Sequence, residues 1–177
     1  MIVGREAIGM KGTAPPVRER VVHGFAPVWD ARSRVLVLGT LPSVKSREEQ
    51  FYYGHPRNRF WRLLALLFDA PAPQSVEEKK ALLLENGVAL WDVVHACEIR
   101  RSADGSIRNA VPNDIRPILR GADIRAVYAN GAKAKELYDR LILPVTGREA
   151  IRLPSTSPAN AACSLEELAE AWRVLRM

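Results

Sequence analysis

The chain has 177 residues, of which 47% are hydrophobic and 26% are charged, close to the values of soluble globular proteins. This composition argues against collagen-like, disordered and disulfide-stapled chains, and the length favours a single domain. No apolar run approaches the roughly 20 residues that span a membrane, and residues 1–14 lack an apolar leader, so the sequence predicts a cytoplasmic protein without a membrane partner. The formal net charge of +6 favours a polyanionic partner such as nucleic acid.

The two cysteines, Cys97 and Cys163, lie far apart and neither belongs to a CxxC pair. No histidine pattern with zinc-ligand spacing accompanies them. We therefore expect two reduced, buried thiols and no metal site.

Residues 1–34 are rich in glycine, proline and scattered charges, which is typical of turns and irregular chain. They predict an irregular lead-in to an α/β core over residues 35–177. Short apolar runs then predict four buried strands, over residues 34–39, 87–91, 124–129 and 149–153, the last of them from a weaker pattern.

Helical patterns alternate with these strands. The predicted helices cover residues 60–68, 112–120 and 131–140, and two more begin at Ser75 and Ser164. Both serines open a capping box, in which serine and glutamate satisfy free backbone N–H groups, whereas Pro117 would interrupt the helix over residues 112–120. Alternating strands and helices imply a parallel sheet flanked by helices, with ligands bound at the carboxyl ends of the strands.

The connection over residues 40–57 is much longer than the roughly 2–6 residues that usually join a strand to a helix. It combines serines, cations and three adjacent aromatic residues at 51–53. Hydroxyl groups and cations bind phosphates, and aromatic faces stack on bases. The same composition fits a surface loop whose aromatic side chains pack beneath it, so the residue types alone leave both interpretations open.

Three motifs in order carry a resemblance to a known family: GTLPS at 39–43, YGHPRNRFW at 53–61 and LPSTSPAN at 153–160. Together they resemble the uracil-DNA glycosylase superfamily, and most closely its hypoxanthine-DNA glycosylase branch, with the mismatch-specific uracil-DNA glycosylases as relatives. The resemblance implies a three-layer α/β sandwich with a central four-stranded parallel sheet. It also implies an enzyme without metal or cofactor that cleaves the bond between a deaminated base and deoxyribose.

Two positions depart from the uracil-specific pattern. Leu41 stands where those members carry the asparagine or aspartate that places the water, and Leu153 stands where the last motif opens with a histidine. The resemblance therefore assigns the water to Asn58, the asparagine of the HPRN string. An amide oxygen can accept a hydrogen bond from water, and positioning suffices because an oxocarbenium-like sugar captures any well-placed water. Asn58 could also be the N-cap of a helix that begins at Arg59.

The resemblance also assigns the recognition of the base. Tyr53 aligns with the aromatic residue that stacks on a flipped base, and Asp92 with a base-reading asparagine. A carboxylate only accepts hydrogen bonds, so Asp92 would take the ring N–H of hypoxanthine or uracil and reject adenine. The structural alternatives are ordinary packing for Tyr53, loop N–H binding for Asp92 and loop orientation for His55.

Two sets of site residues follow from these motifs. The expected base-binding set is Gly39, Thr40, Leu41, Pro42, Ser43, Tyr53, His55 and Asp92. The expected DNA-binding set is Ser155, Thr156, Ser157 and Asn160, in a loop that would help to hold an extruded nucleotide. Nonspecific affinity for the phosphate backbone, or simply a solvated basic surface, is expected from Lys45, Arg57, Arg59 and Lys133.

The sequence thus predicts a monomeric, monofunctional DNA glycosylase that releases hypoxanthine from deoxyinosine and leaves an abasic site. No lysine occupies a motif position that would suggest a Schiff base. The alternatives are a uracil or mismatch-specific glycosylase of the same fold, and a noncatalytic lesion-binding protein that lost its chemistry with the asparagine at position 41. A nucleotide-cofactor enzyme finds no support, because neither GxGxxG nor GxxxxGK[ST] occurs.

Overall fold

The structure is a computed structural model that describes residues 18–100 and 104–176. Residues 1–17 of the expected lead-in lie outside the described residues. The elements are β1 (Glu19–Val22), β2 (Val35–Gly39), α1 (Val44–Glu49), α2 (Phe60–Leu67), α3 (Val76–Glu85), β3 (Val88–Asp92), β4 (Val94–Ile99), β5 (Arg108–Pro112), α4 (Arg116–Gly121), β6 (Ala126–Asn130), α5 (Ala132–Leu141), α6 (Leu143–Thr146), β7 (Ala150–Leu153) and α7 (Leu165–Trp172), with 3₁₀ turns at Asp104–Ser106 and Arg173–Leu175.

The central sheet has four parallel strands in the order β3-β2-β6-β7, which confirms the predicted sheet. Every residue of β2 is buried, as expected of a strand covered on both faces. The register pairs Gly39 of β2 with Asp92 of β3. The first motif and Asp92 are thereby neighbours at the carboxyl edge of the sheet, where ligands bind in such folds.

Two apolar cores lie on opposite faces of this sheet, because successive side chains of a strand alternate in direction. Val35 and Val37 face α2, α3 and α7. Leu36 and Leu38 face α4, α5 and a second, smaller sheet. The chain is therefore a three-layer α/β sandwich.

The smaller sheet is a feature that the sequence did not predict. Its strands β1, β4 and β5 are antiparallel, with β4 in the middle. β1 lies within the residues expected to be irregular, so that prediction is wrong over Glu19–Val22. A single residue, Val93, separates β3 from β4, and without an intervening turn signal the second strand cannot be recognised.

All five predicted helices are present, one of them with a later start, whereas the short helices α1 and α6 were not predicted. Both capping boxes are present, with Ser75 and Ser164 accepting from the N–H groups of Glu78 and Glu167. The helix predicted over residues 112–120 is wrong at its start, because Pro112 ends β5 and α4 begins at Arg116. Pro117 then lies in the first turn of α4, where a missing backbone N–H has no cost.

The long connection after β2 is not wholly irregular, since it contains the short helix α1. Ser43 is the N-cap of α1, and its Oγ accepts from the N–H of Ser46 at 3.2 Å. The hydroxyl of Ser46 in turn accepts from the N–H of Gly54 at 3.0 Å. This chain of bonds folds the connection back towards the sheet.

Candidate active site

A cavity of about 430 Å³ opens at the carboxyl edge of the central sheet. Its size falls within the roughly 300–1,000 Å³ of small-molecule sites. The predicted site residues that line it are Gly39, Thr40, Leu41, Pro42, Ser43, Tyr53, His55, Asn58, Asp92, Ser155, Thr156 and Ser157. The predicted residue Asn160 lines a neighbouring cavity of about 560 Å³ instead. The three motifs, distant in the sequence, thus meet around one space.

Asn58 lies half-buried in the turn before α2. Its Oδ1 accepts from the N–H of Phe60 at 3.0 Å, and its own N–H donates to the carbonyl oxygen of His55 at 2.8 Å. The helix begins at Phe60 rather than Arg59, yet the side chain still satisfies a free N–H of the first turn. An amide oxygen has two lone pairs, so this contact orients Asn58 and leaves capacity to accept from a water in the cavity.

Asp92 is buried at the end of β3, with a relative exposure of 4%. Its Oδ2 lies 2.9 Å from Nε2 of His23. Its Oδ1 lies against Gly39, where an added Cβ would come within 2.2 Å of it. Glycine at position 39 is therefore what makes room for the carboxylate.

Tyr53 has a backbone φ of +52°, a left-handed conformation that is uncommon for a bulky residue. Such strain persists only where the surroundings enforce it and is frequent at functional sites. The ring stacks on Phe60, with centroids 4.0 Å apart. Its hydroxyl accepts from Nδ2 of Asn130 at 2.9 Å. Backbone, ring and hydroxyl of Tyr53 are all fixed before any ligand binds.

Tyr52 lies beside Tyr53 and is almost fully buried. Burial, and to a smaller degree the negative charge of Asp92, raises the pKa of Tyr52 far above its ordinary value. The phenol therefore stays neutral and donates to the carbonyl oxygen of Ala26 at 2.8 Å. This bond ties the aromatic segment to the stretch of chain that precedes β2.

Asn130 joins the second and third motifs, a role that sequence reasoning missed. Its Nδ2 donates to Tyr53 and to Oγ1 of Thr156, at 3.0 Å in the second case, while its Oδ1 accepts from the N–H of Thr156 at 3.0 Å. Thr156 is fully buried as a result. The available signal was a polar residue directly after the strand predicted over residues 124–129.

Arg59 holds the loop after β7. Its guanidinium donates to the carbonyl oxygens of Cys163, of Ser157 at 3.1 Å and of Asn160 at 2.9 Å. Its backbone N–H also donates to the carbonyl oxygen of Thr156, at 3.1 Å. These bonds engage Nη1 and Nη2 within the chain, while Nε has no hydrogen-bond partner among the described residues. Arg59 therefore acts as a clamp on this loop, and its affinity for phosphate stays a prediction.

The loop over residues 155–160 also makes polar contacts within itself, in addition to its bonds with Arg59 and Asn130. Oγ of Ser155 accepts from the N–H of Ser157, and Oγ of Ser157 accepts from the N–H of Ala159, both at 3.2 Å. Asn160 donates through Nδ2 to the carbonyl oxygen of Ser155 at 2.9 Å. The loop is therefore held in a compact conformation, and its residues line one side of the cavity.

Three further predicted residues shape the cavity wall. The carbonyl oxygen of Thr40 accepts from the N–H of Val94 at 3.0 Å. Leu41 is half-buried against the core beneath the smaller sheet. Nδ1 of His55 accepts from the N–H of Arg57 at 3.2 Å, so this ring is engaged in the turn that leads to Asn58.

His23 is a residue of the site that the sequence analysis did not predict. It follows β1 directly, and its side chain is buried against Asp92. The two residues are 69 positions apart in the chain. A lone histidine in a segment rich in glycine and proline offers no pattern from which this pairing could be predicted.

The described part of the chain contains no metal site and no disulfide. No group of three His, Cys, Asp or Glu residues there is placed to hold a metal ion. Both cysteines are free thiols; Cys97 is buried as expected, but Cys163 is only half-buried. Among the described helices, none combines the length and apolar character that crossing a membrane requires.

Comparison with known proteins gives consistent results. Residues 26–176 match the model of the uracil DNA glycosylase superfamily. A protein of Methanosarcina acetivorans named hypoxanthine DNA glycosylase is 35% identical, over 88% of this chain and 99% of its own length. A protein of the same name from Methanosarcina barkeri is 36% identical, over 85% of this chain and 94% of its own length.

A solved structure agrees with the observed fold. The solution NMR structure of a candidate uracil DNA glycosylase from Methanosarcina acetivorans superposes with a TM-score of 0.72 and 34% sequence identity. The alignment covers 87% of this chain and 98% of that one. With its fold, its motifs around one cavity and these relatives, the chain belongs to the uracil DNA glycosylase superfamily.

Proposed function

We propose that this protein is a monofunctional DNA glycosylase that releases hypoxanthine from deoxyinosine in DNA and leaves an abasic site. The observation that carries the proposal is the single cavity in which Asn58, Tyr53 and Asp92 meet. Relatives named hypoxanthine DNA glycosylase, 35% and 36% identical over most of the chain, support the choice of base.

Recognition requires the base to leave the helical stack, because its glycosidic bond is inaccessible inside a duplex. Phe60 covers one face of the Tyr53 ring, and the opposite face would stack on the extruded base, an interaction of roughly 1–3 kcal/mol. The Asp92 carboxylate would accept the ring N–H of hypoxanthine. Adenine presents an acceptor at the same ring position and would be repelled.

In the chemical step the bond from the sugar C1′ to the base nitrogen breaks, and its electron pair leaves with the base. Asn58 Oδ1 would accept a hydrogen bond from the water whose oxygen adds to C1′. That water gives up one proton, which neutralises the departing base directly or through solvent. Asn58 is too weak a base to abstract the proton early, so its contribution is orientation of the nucleophile.

Uracil is the second candidate base, since it is also a lactam with a ring N–H. The solved structure of a candidate uracil DNA glycosylase, 34% identical to this chain, favours keeping it in the test. Leu41 argues against uracil, because a leucine cannot orient a water from the first motif.

Base release from matched oligonucleotides tests the proposal. The set contains hypoxanthine, uracil, xanthine or no lesion at one position, and alkali then cleaves abasic sites. We expect hypoxanthine to be released fastest. A preference for uracil would replace the proposal with the second candidate, and lesion binding without release would identify a noncatalytic binder.

The proposal extends to a monomer acting in the cytoplasm on DNA that contains deaminated bases. All the residues assigned to the cavity come from one chain, which supports action by a single copy. Size-exclusion chromatography with light scattering, with and without a deoxyinosine duplex, would show one copy per lesion if this is correct. Two copies per lesion would overturn it.

A further inference from the structure

We propose that His23 is a positioning residue for base recognition, which holds the Asp92 carboxylate so that Oδ1 faces the extruded base. The inference rests on the proposed function, since it concerns the same cavity. His23 contributes through Asp92 rather than by touching the base.

The contact between the two side chains is short and buried. Nε2 of His23 lies 2.9 Å from Oδ2 of Asp92, with side-chain exposures of 1% and 6%. A carboxylate only accepts, so Nε2 carries the shared proton. A hydrogen bond to an ionised group in a low-dielectric setting is stronger than a neutral bond in water.

Aromatic rings fix the imidazole on several sides. The ring centroid lies 4.5 Å from that of Phe25, 5.9 Å from that of Tyr52 and 6.4 Å from that of Trp91. The backbone N–H of His23 donates to the carbonyl oxygen of His95 at 2.6 Å, which anchors the residue to β4. The imidazole therefore has little freedom to turn away from Asp92.

Among the described residues, Asp92 is the only hydrogen-bond partner of the His23 ring. Nδ1 is buried and meets no hydrogen-bond partner within residues 18–100 and 104–176. A buried polar atom without a partner is costly. The arrangement makes sense if the bond from Nε2 to Asp92 is what the position serves.

The backbone of Asp92 is held by a further bond. Nδ2 of Asn113 donates to the backbone carbonyl oxygen of Asp92 at 2.9 Å. Gly39 leaves the space that Oδ1 occupies. With Oδ2 bound to His23, Oδ1 is the oxygen that we assign to the ring N–H of the base.

The experiment measures binding to a duplex that carries 2′-fluoro-2′-deoxyinosine. Fluorine destabilises the oxocarbenium-like sugar, so the base stays attached and affinity is measurable even for inactive variants. Preference is the ratio of the Kd for undamaged duplex to the Kd for this duplex. His23→Leu removes the hydrogen-bond donor with little change in side-chain size, and His23→Gln keeps a donor near the position of Nε2. The matched control is His95→Gln, because the side chain of His95 is exposed.

We expect His23→Leu to lower the preference about tenfold or more, the scale of a lost hydrogen bond to a charged group, while His23→Gln recovers part of it and His95→Gln changes nothing. Asp92→Ala should lower the preference at least as much. Adding His23→Leu to Asp92→Ala should then cost less than about twofold, because the two side chains act in series.

A preference unchanged in His23→Leu, or a full further loss in the double variant, would overturn the inference. So would equal losses of affinity for both duplexes, since those indicate a structural role, and thermal melting of each variant checks the fold independently. Wild-type protein that releases no hypoxanthine would reject the proposed function itself. The two failures are therefore distinguishable.

Discussion

At the scale of single residues, the site depends on how closely Gly39 and Asp92 approach each other. They are partners in the register of two adjacent parallel strands. The carboxylate fills the space where any other residue at position 39 would place its Cβ. The glycine of the first motif thus makes room for a residue outside that motif.

Gly39→Ala should lower the rate of base release about tenfold or more. The added Cβ would lie 2.2 Å from Oδ1 of Asp92 and 2.9 Å from the Tyr53 hydroxyl, so the carboxylate must shift, and small misplacements of reacting groups are costly. Single-turnover release from a deoxyinosine duplex measures the effect. Gly105→Ala is the control, because a Cβ there meets nothing within 4 Å. Equal rates for both variants would contradict the assigned contact.

Asp92→Ala should remove most of the preference for deoxyinosine over undamaged DNA. The loss follows because the ring N–H of the base would lose the carboxylate proposed to accept it. Competition binding with the two duplexes measures it. Equal weakening of both affinities would instead favour a purely structural role for the carboxylate.

Sequence motifs predicted most residues of the cavity, including Asn58, Tyr53 and Asp92. They did not predict that His23 contacts Asp92, 69 positions away. Nor did they predict that Asn130 binds Tyr53 and Thr156, which are 77 and 26 positions away. Contacts of this kind depend on the final register of strands and loops. A single sequence contains no periodic signal for them.

At the scale of elements, the cavity is built where loops from several strands meet and are tied together. Arg59 connects the start of α2 with three carbonyl groups of the loop after β7. Asn130, at the end of β6, connects the same loop with Tyr53. These two clamps hold the walls of the cavity before DNA binds, so little ordering remains to be done on binding.

Arg59→Lys should loosen the loop over residues 155–163 while leaving α2 intact. A single ammonium group cannot match the fork of a guanidinium towards three carbonyl oxygens. Amide hydrogen exchange in that loop should rise, and base release should fall more than the affinity for undamaged DNA. Arg62→Lys, on the exposed face of α2, is the matched control. Unchanged exchange in Arg59→Lys would contradict the clamp.

The parallel sheet and the capped helices were predictable because their patterns are local. Continuous apolar runs mark buried strands, and a serine three residues before a glutamate marks a helix start. The antiparallel sheet was not predictable. β1 has only one buried residue, Val21, and β4 follows β3 after a single residue, so neither gave a distinct signal.

At the scale of the whole molecule, the net charge of +6 and the family determine how the protein meets DNA. Not every cation is available for phosphates. Lys45 and Lys133 form ion pairs with glutamates of their own helices, at 3.3 and 2.9 Å, although such exposed pairs are weak. We therefore expect the summed field of all charges to contribute to nonspecific attraction alongside individual cations.

Affinity for undamaged duplex should fall about tenfold or more when salt rises from roughly 50 to 200 mM, because bound counterions are released on association. The preference for deoxyinosine should change much less, because the proposed stacking on Tyr53 and the proposed bond to Asp92 are short-range contacts inside the cavity, where we expect salt to screen less than at the surface. Fluorescence anisotropy over a salt series measures both. A preference that falls in parallel with affinity would contradict a shielded recognition site.

The central claim is that Asn58 orients the water that captures the sugar. The most direct measurement compares single-turnover release of free hypoxanthine, and lesion-duplex affinity, between wild type and Asn58→Ala. Loss of the bond from Asn58 to Phe60 should cost roughly 1 kcal/mol of stability. Asn86→Ala is the control for this loss, because Asn86 is the C-cap of α3 and does not line the cavity.

We predict that Asn58→Ala slows release about 100-fold or more, as expected when a nucleophile is misplaced, and changes affinity less than about threefold. Asn58→Asp, which keeps an acceptor, should retain part of the rate. An Asn58→Ala variant that releases hypoxanthine at the wild-type rate would contradict the account.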